Sequence, residues 1–174
     1  MPITEELKRL GQSVHRLNEG SEEINALVAD FDRILGELLL PFDYLHPRPL
    51  RETTIVGREG KRVIEVAYLG YLPYRGQRHL VVKTVKVVES KAAAAEGGGQ
   101  TLTPLLLAPR PLRHAAVDVL EEVASAIRRQ LDELADEVDR RRGRARAAVD
   151  GLEAVRDRAS SSSSSGRRPR VDEG

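Results

Sequence analysis

Two heptad ladders, one towards each end of the chain, constrain this sequence more than any other feature. In both, apolar residues recur at alternating spacings of three and four. The first ladder holds Leu7, Leu10, Val14, Leu17, Ser21, Ile24, Val28, Phe31, Leu35 and Leu38. The second holds Leu120, Ala124, Ile127, Leu131, Leu134, Val138, Arg141, Ala145, Ala148, Leu152, Val155 and Ala159. An apolar period of about 3.5 residues is typical of helices that pack along their length.

The ladders predict a helix-pairing seam and no biochemical task. Only Ser21 and Arg141 place polar side chains in them. We predict that the seam consists of Leu10, Val14, Leu17, Ile24, Val28, Phe31, Leu35, Leu38, Leu120, Ile127, Leu131, Leu134 and Val138.

Composition narrows the possible classes of protein. Aromatic residues make up 3% of the 174 residues, which argues against a large aromatic-filled core, and the 32% of charged residues suits long solvated helices. The absence of cysteine excludes disulfides, thiolate metal sites and cysteine nucleophiles. Because no apolar run approaches about 18 residues and no charged-then-apolar leader begins the chain, we expect a cytoplasmic protein without membrane contact.

The helices and strands can be placed from local pattern. We predict one long helix from Ile3 to about Leu39, with a weak point near Gly20 and an end at Pro41. A second helix is predicted from near Leu112 to at least Arg142. Three β-rich segments lie between them, at residues 51–56, 62–72 and 78–89. They are joined by turns at residues 57–60 and 73–76 and read as an antiparallel meander.

Three further segments complete the prediction. Gly70, inside the middle strand, indicates a bulge or a close backbone approach. Residues 91–100 (KAAAAEGGGQ) are predicted as a flexible connector, and residues 101–111 as irregular or a short strand. Residues 159–174, rich in serine and arginine, are predicted as a disordered tail, which leaves a single domain over residues 1–158.

The predicted fold class is α+β: a long N-terminal helix, a three-stranded antiparallel β-meander and a long C-terminal helix, with the helices pairing antiparallel in coiled-coil fashion. The sheet then forms a head on a helical stalk. Packing of both helices across the sheet is the alternative. Because a two-helix stalk seldom buries enough apolar surface alone, we expect a homo-oligomer.

This layout of helix, β-hairpins and helix resembles the subunits of the prefoldin chaperones. The resemblance is architectural, and the glycine connector and the apolar loop at Leu105–Leu107 depart from it. The segment LNEGSEEIN at residues 17–25 and Leu69-Gly70-Tyr71 are similar to uncharacterised small bacterial helix–β-meander–helix proteins, over about residues 17–138. That second resemblance implies no function.

Residues with catalytic or metal-binding chemistry do not form a recognisable pattern. His15, His46, His79 and His114 lack the helical spacing of metal ligands. No serine lies in a nucleophile elbow, and Gly97–Gly99 lacks the lysine and following helix of a phosphate loop. We therefore predict no catalytic residue, no metal and no cofactor, and expect that the protein is not an enzyme.

Basic residues offer one further possibility. The densest basic cluster is Arg140, Arg141, Arg142, Arg144 and Arg146, which could contact a phosphate backbone or simply form a solvated helix end. Residues 41–100 carry ten basic and six acidic side chains, and Tyr68, Tyr71 and Tyr74 lie near Arg75 and Arg78. These tyrosines could stack on bases, although packing within the sheet is the favoured interpretation.

Together these patterns favour a non-enzymatic protein–protein interaction or assembly module that self-associates through its heptad-patterned helices and offers a surface to an unidentified protein partner. One alternative is a prefoldin-like holdase chaperone. Another is nucleic-acid binding through Arg140–Arg146 and the basic meander.

Overall fold

The computed structural model describes residues 3–56, 62–89 and 99–164, which form an α+β fold with long helices at both ends. The elements, in chain order, are α1 (Ile3–Glu37), β1 (Tyr44–Leu45), β2 (Arg51–Val56), β3 (Arg62–Tyr74), β4 (Gln77–Glu89), β5 (Gln100–Pro104), a 3-10 helix (Leu105–Leu107), α2 (Arg110–Val117) and α3 (Leu120–Ser164).

The first helix is continuous, as the heptad phase predicts. α1 runs through Gly20 without a break. It ends with the Leu38 N–H donating to the Ile34 carbonyl and the Leu39 N–H donating to the Gly36 carbonyl. Leu39 then adopts a left-handed φ of 49°, and Pro41 follows, so the helix cannot continue.

The sheet is antiparallel and holds the three predicted strands as β2, β3 and β4. β3 pairs with β4 along its whole length, from Arg62 opposite Glu89 to Tyr74 opposite Gln77. β1 and β2 share the other edge of β3, and β5 pairs with β4. The prediction of a three-stranded meander is therefore wrong in its count, because β1 and β5 extend the sheet. The predicted turn at residues 57–60 lies outside the described residues.

Two positions in the β3–β4 hairpin have unusual backbone requirements. Pairing continues through Gly70 without an offset, so no bulge forms there; a Cβ at Gly70 would lie 3.1 Å from side-chain atoms of Leu45 and Leu72. In the turn, Arg75 has φ 51° and Gly76 has φ 90°. Positive φ at both central residues is the pattern of a type I′ turn, which favours Asn-Gly, so an arginine there is strained by about 1–2 kcal/mol.

The second predicted helix is in fact two helices. α2 ends at Val117, and α3 begins at Leu120. The backbone stays close to helical across the junction, where the Val119 N–H donates to the Ala116 carbonyl three residues back. No glycine or proline marks such a tightened turn, and the sequence pattern therefore merges the two helices.

Two predicted flexible segments fall mainly on residues that the structure does not describe. In the connector predicted at residues 91–100, Gly99 and Gln100 are described, and Gln100 begins β5. α3 continues to Ser164, into the tail predicted from residue 159, and the remainder of that tail lies outside the described residues.

The apolar core is built on the central strands. Leu69 and Tyr71 of β3 face the same side of the sheet as their partners Val82 and Leu80 of β4, and all four are buried. Val81, on the opposite face, is buried as well, so both faces of the sheet are covered at this point. The helices and the α2–α3 junction contribute further buried residues, which are Val28, Leu35, Leu105, Leu112, Ala116, Val119 and Val123.

The chain divides into two compact units, Met1–Ala124 and Ser125–Gly174. The single domain predicted over residues 1–158 stays a prediction. The first unit contains the sheet, α1, α2 and the beginning of α3. The described part of the second is the rest of α3, as far as Ser164. None of the described helices is long and apolar enough to cross a membrane.

Candidate functional site

The first half of α1 presents its apolar seam to solvent. Every residue from 3 to 19 is exposed. Seam residues Leu7, Leu10, Val14 and Leu17 are each between 48% and 61% exposed. Apolar side chains in register on a helix form a stripe that needs a covering surface. The fold leaves this apolar stripe of α1 uncovered.

The second half of α1 buries the same seam. Val28 and Leu35 are buried, and Ile24 and Phe31 are partly buried, while Leu38 beyond the helix end is exposed. This half of α1 packs against β4, the 3-10 helix and α2. Val14 and Val28 thus occupy the same position of the heptad in different environments, since Val14 is 48% exposed and Val28 is 1% exposed.

A polar cluster marks the boundary between the two halves. The Ser21 hydroxyl donates to the Leu17 carbonyl at 2.8 Å, and the Arg110 guanidinium of α2 donates to that carbonyl at 2.7 Å and also to the Ser21 oxygen. His114 Nε2 lies 3.4 Å from the same oxygen. Since the hydroxyl proton is directed at Leu17, Ser21 can act only as an acceptor towards His114, which is opposite to the proton transfer that a serine nucleophile requires.

In the second unit, α3 carries its seam and the arginine cluster on one long helix. Ile127 is buried, Leu131 is partly buried, and Leu134 and Val138 are exposed; Leu120, in the first unit, is partly buried. Every residue from 138 to 161 is exposed, which includes Leu152 and Val155.

The guanidinium groups of the arginine cluster are exposed and two have intrahelical partners. Arg141 pairs with Glu137, and Arg142 pairs with Asp139 at 3.1 Å. Arg140, Arg144 and Arg146 are exposed on the same segment. Nucleic-acid contact by this cluster stays a prediction.

The tyrosines of the meander do not form one stacking surface. Tyr71 is buried, whereas Tyr68 and Tyr74 are partly buried and project from the opposite face of β3. Burial raises the pKa of Tyr71 above its usual value of 10.0; the charge of Asp32 adds to this and that of Arg78 opposes it. Arg78 pairs with Asp43 at 2.8 Å, and the Arg75 guanidinium lies 5.3 Å from the centre of the Tyr74 ring.

A carboxylate–histidine pair joins α1 to β4, and sequence inspection did not single it out. Asp32 accepts the Leu80 N–H at 2.6 Å through Oδ1 and the His79 Nδ1–H at 2.9 Å through Oδ2. Both carboxylate oxygens are therefore engaged, and the hydrogen bond fixes which imidazole nitrogen faces Asp32. The two residues are 47 positions apart in sequence, so no local spacing could have indicated the pair.

Two cavities adjoin this pair within the first unit. One cavity, of about 630 Å³, lies between the C-terminal turns of α1 and the β3–β4 turn and includes Glu37, Tyr71 and Arg78 in its wall. The apolar cavity, of about 420 Å³, lies between the middle of α1, the same β-turn and the 3-10 helix. Asp32 and His79 line both cavities.

The other histidines lie in separate polar networks. His15 is exposed and pairs with Glu19 at 3.1 Å. His46 is buried, with Nδ1 3.2 Å from the Tyr44 hydroxyl and Nε2 3.5 Å from a Glu122 oxygen. Over residues 3–56, 62–89 and 99–164, no three histidine or carboxylate side chains come together as a metal site would require.

Comparison of the chain with models of protein families, with curated proteins and with solved structures found no match.

Proposed function

We propose that this protein is a self-associating assembly module in which the exposed seam of α1 pairs with the seam of α3 in a second copy, antiparallel and in coiled-coil fashion. One observation carries the proposal. Residues 3–19 form a regular helix that is exposed on every side, although four apolar seam residues line one face of it. An isolated helix of this length is marginal in water, so a covering surface would supply the missing stabilisation.

The charges beside the two seams favour pairing between unlike helices. Residues flanking the seam of the first half of α1 are Glu6, Gly11, Ser13, Asn18 and Gly20, which carry one charge. The corresponding flanks of α3 are far more basic and consist of Arg128, Gln130, Ala135, Glu137, Arg142, Arg144, Val149, Gly151, Arg156 and Arg158. Two α3 helices would bring arginines together, whereas the near-neutral flanks of α1 accept the arginine-lined seam.

Overall charge supports the same pairing. Residues 3–23 carry five acidic and three basic side chains, whereas residues 138–158 carry seven basic and four acidic ones. The net charges are therefore −2 and +3. If each copy contributes α1 to one contact and α3 to the other, a two-fold axis closes the assembly as a dimer.

The proposal is tested by measuring molecular mass over a wide concentration range, using sedimentation equilibrium. We expect the full chain to associate. Val14→Glu and Leu152→Glu place a charge in each seam and should each produce monomers. Gln12→Glu and Ala154→Glu add the same charge to the opposite face of the same helices and should leave the assembly intact.

Two other results of the sedimentation experiment would contradict the proposed pairing. A wild-type monomer at all concentrations would overturn the proposal. Dissociation by Val14→Glu, with Leu152→Glu still assembled, would mean that α1 pairs with α1 and that α3 is not the partner. The contacts of the described residues offer no observation that favours the chaperone or nucleic-acid alternatives over this one.

A further inference from the structure

The apolar cavity combines an apolar floor with a small number of polar groups. Val28 of α1, Leu80 of β4 and Leu105 of the 3-10 helix are buried and line it. Its volume of about 420 Å³ falls in the range of about 300–1,000 Å³ that is typical of small-molecule sites. All of its lining residues belong to the first unit, and none belongs to the exposed half of the α1 seam or to the α3 seam, the two surfaces proposed above for association.

Both oxygens of the carboxylate at this cavity are engaged in hydrogen bonds. Asp32 receives hydrogen bonds from His79 and from the Leu80 backbone, one on each oxygen. Among the described residues, no protein group is bonded to Nε2 of His79, although the residue lines the cavity. The wall therefore offers an imidazole of fixed orientation, and both Asp32 oxygens are occupied by donors from the protein.

Arg75 supplies a positive charge at the same cavity. Its guanidinium lies over the Tyr74 ring, and both residues contribute to the cavity wall. No carboxylate of the described residues forms an ion pair with it, unlike Arg78, which pairs with Asp43. Arg75 is thus a cation that is held against an aromatic ring and has no anionic partner within the described chain.

The backbone conformation at Arg75 suggests that an arginine is present at this position for the function of its side chain. Its φ of 51° is left-handed, as the first central position of a type I′ turn requires, and asparagine or glycine would meet that requirement with less strain. Strain of this kind persists where the surrounding structure holds it, and it is concentrated at functional sites. An arginine at this turn position is therefore better explained by its side chain than by the turn.

We propose that the apolar cavity binds a small molecule with an apolar body and one carboxylate, such as a medium-chain fatty acid. The apolar body would lie against Val28, Leu80 and Leu105, and the carboxylate would pair with Arg75. A single planar guanidinium matches a single carboxylate through two parallel hydrogen bonds, whereas a phosphate dianion is better served by several cations.

The test is calorimetric titration of the full chain with decanoate below its micelle-forming concentration. We expect saturable binding of one molecule per chain, with perturbation of the His79 ring resonances in the NMR spectrum. Acetate, which lacks the apolar body, and decyltrimethylammonium, which has the opposite charge, should not bind at the same concentrations. Equal binding of the ammonium compound would overturn recognition by charge, and failure of decanoate to bind would overturn the proposal.

One substitution separates binding from folding. Arg75→Asn removes the charge and suits the turn, so the protein should unfold at the same denaturant concentration or a higher one, while its affinity for decanoate falls by about tenfold or more. Arg78→Asn removes an equal charge from a residue that does not line the apolar cavity and should leave the affinity within about twofold. Unchanged affinity in Arg75→Asn would contradict the assigned role of Arg75. The test does not depend on self-association, because affinities can be compared at a single protein concentration.

Discussion

Arg110 and Ser21 form a polar contact between α2 and α1 at the point where the seam of α1 passes from exposed to buried. The guanidinium donates to the serine oxygen and to the Leu17 carbonyl, which also accepts the Ser21 hydroxyl. The residue that interrupts the apolar ladder is therefore the acceptor that positions α2.

Removing this contact should destabilise the first unit. We expect Arg110→Ala to lower the free energy of unfolding by about 1–3 kcal/mol, because the buried Ser21 oxygen loses a charged donor. Arg16→Ala, on the exposed half of α1, should change it by less than about 0.5 kcal/mol. Urea unfolding monitored by circular dichroism would measure both changes. If Arg110→Ala lowered the free energy of unfolding no more than Arg16→Ala does, the contact would contribute nothing to stability.

Two valines of α1 provide a matched pair. Val28→Ala removes buried methyl groups and should lower the free energy of unfolding by about 2 kcal/mol. Val14→Ala changes the same residue type at the equivalent heptad position, where the side chain is 48% exposed, and should have little effect on dilute protein. It should weaken association in sedimentation experiments. A large loss of monomer stability in Val14→Ala would show that the first half of α1 is covered within its own chain.

The phase of the α3 seam can be tested within the second unit. Leu131 is partly buried and Glu133 is exposed. Leu131→Asp should lower stability or association by about 1–3 kcal/mol, because a charge replaces an apolar side chain in the seam. Glu133→Lys should have little effect on either. Comparable effects of the two substitutions, measured by thermal unfolding at fixed concentration, would mean that the helical phase is assigned wrongly.

Tyr71 should make stability depend on alkaline pH. Burial raises the pKa of Tyr71 in the folded state, so above about pH 10 the unfolded chain releases this proton before the folded chain does. The stabilisation is complete below the pKa of Tyr71 in the unfolded chain and is lost as pH rises through its pKa in the folded protein. Urea unfolding at several alkaline pH values should show this fall, and Tyr71→Phe should reduce its slope. If Tyr71→Phe kept the wild-type slope, the loss of stability at alkaline pH could not be attributed to Tyr71.

The sequence predicted what depends on local pattern. The heptad phase identified α1 as one helix, and β-branched residues located β2, β3 and β4. It could not show which half of the α1 ladder is covered, because the covering residues come from far along the chain. Ser21 and His114, for example, are 93 positions apart. The short strand β1 was missed, and a short strand was only one of two alternatives for residues 101–111, where β5 lies, because the residues that pair with these strands, and not their own composition, make them strands.

The candidate sites also divide into those that local sequence indicates and those that depend on long-range packing. The seams were visible as a period in the sequence, whereas the Asp32–His79 pair and the cavities beside it depend on long-range packing. The turn at Arg75 was predicted from Gly76, but the left-handed backbone at Arg75 carries no signal of its own in an arginine.

The proposed pairing of the uncovered first half of α1 would make the protein respond to its own concentration. If pairing with a second copy supplies the stabilisation of residues 3–19, the length of α1 that stays folded depends on protein concentration. The folded state of this segment is then stabilised by about RT ln(1 + [copy]/Kd), where [copy] is the concentration of the unpaired protein. At low concentration, amide hydrogens of residues 3–19 should exchange rapidly while those around Val28 remain protected. One uninterrupted helix would then contain a permanent segment and a segment that forms only when enough copies are present.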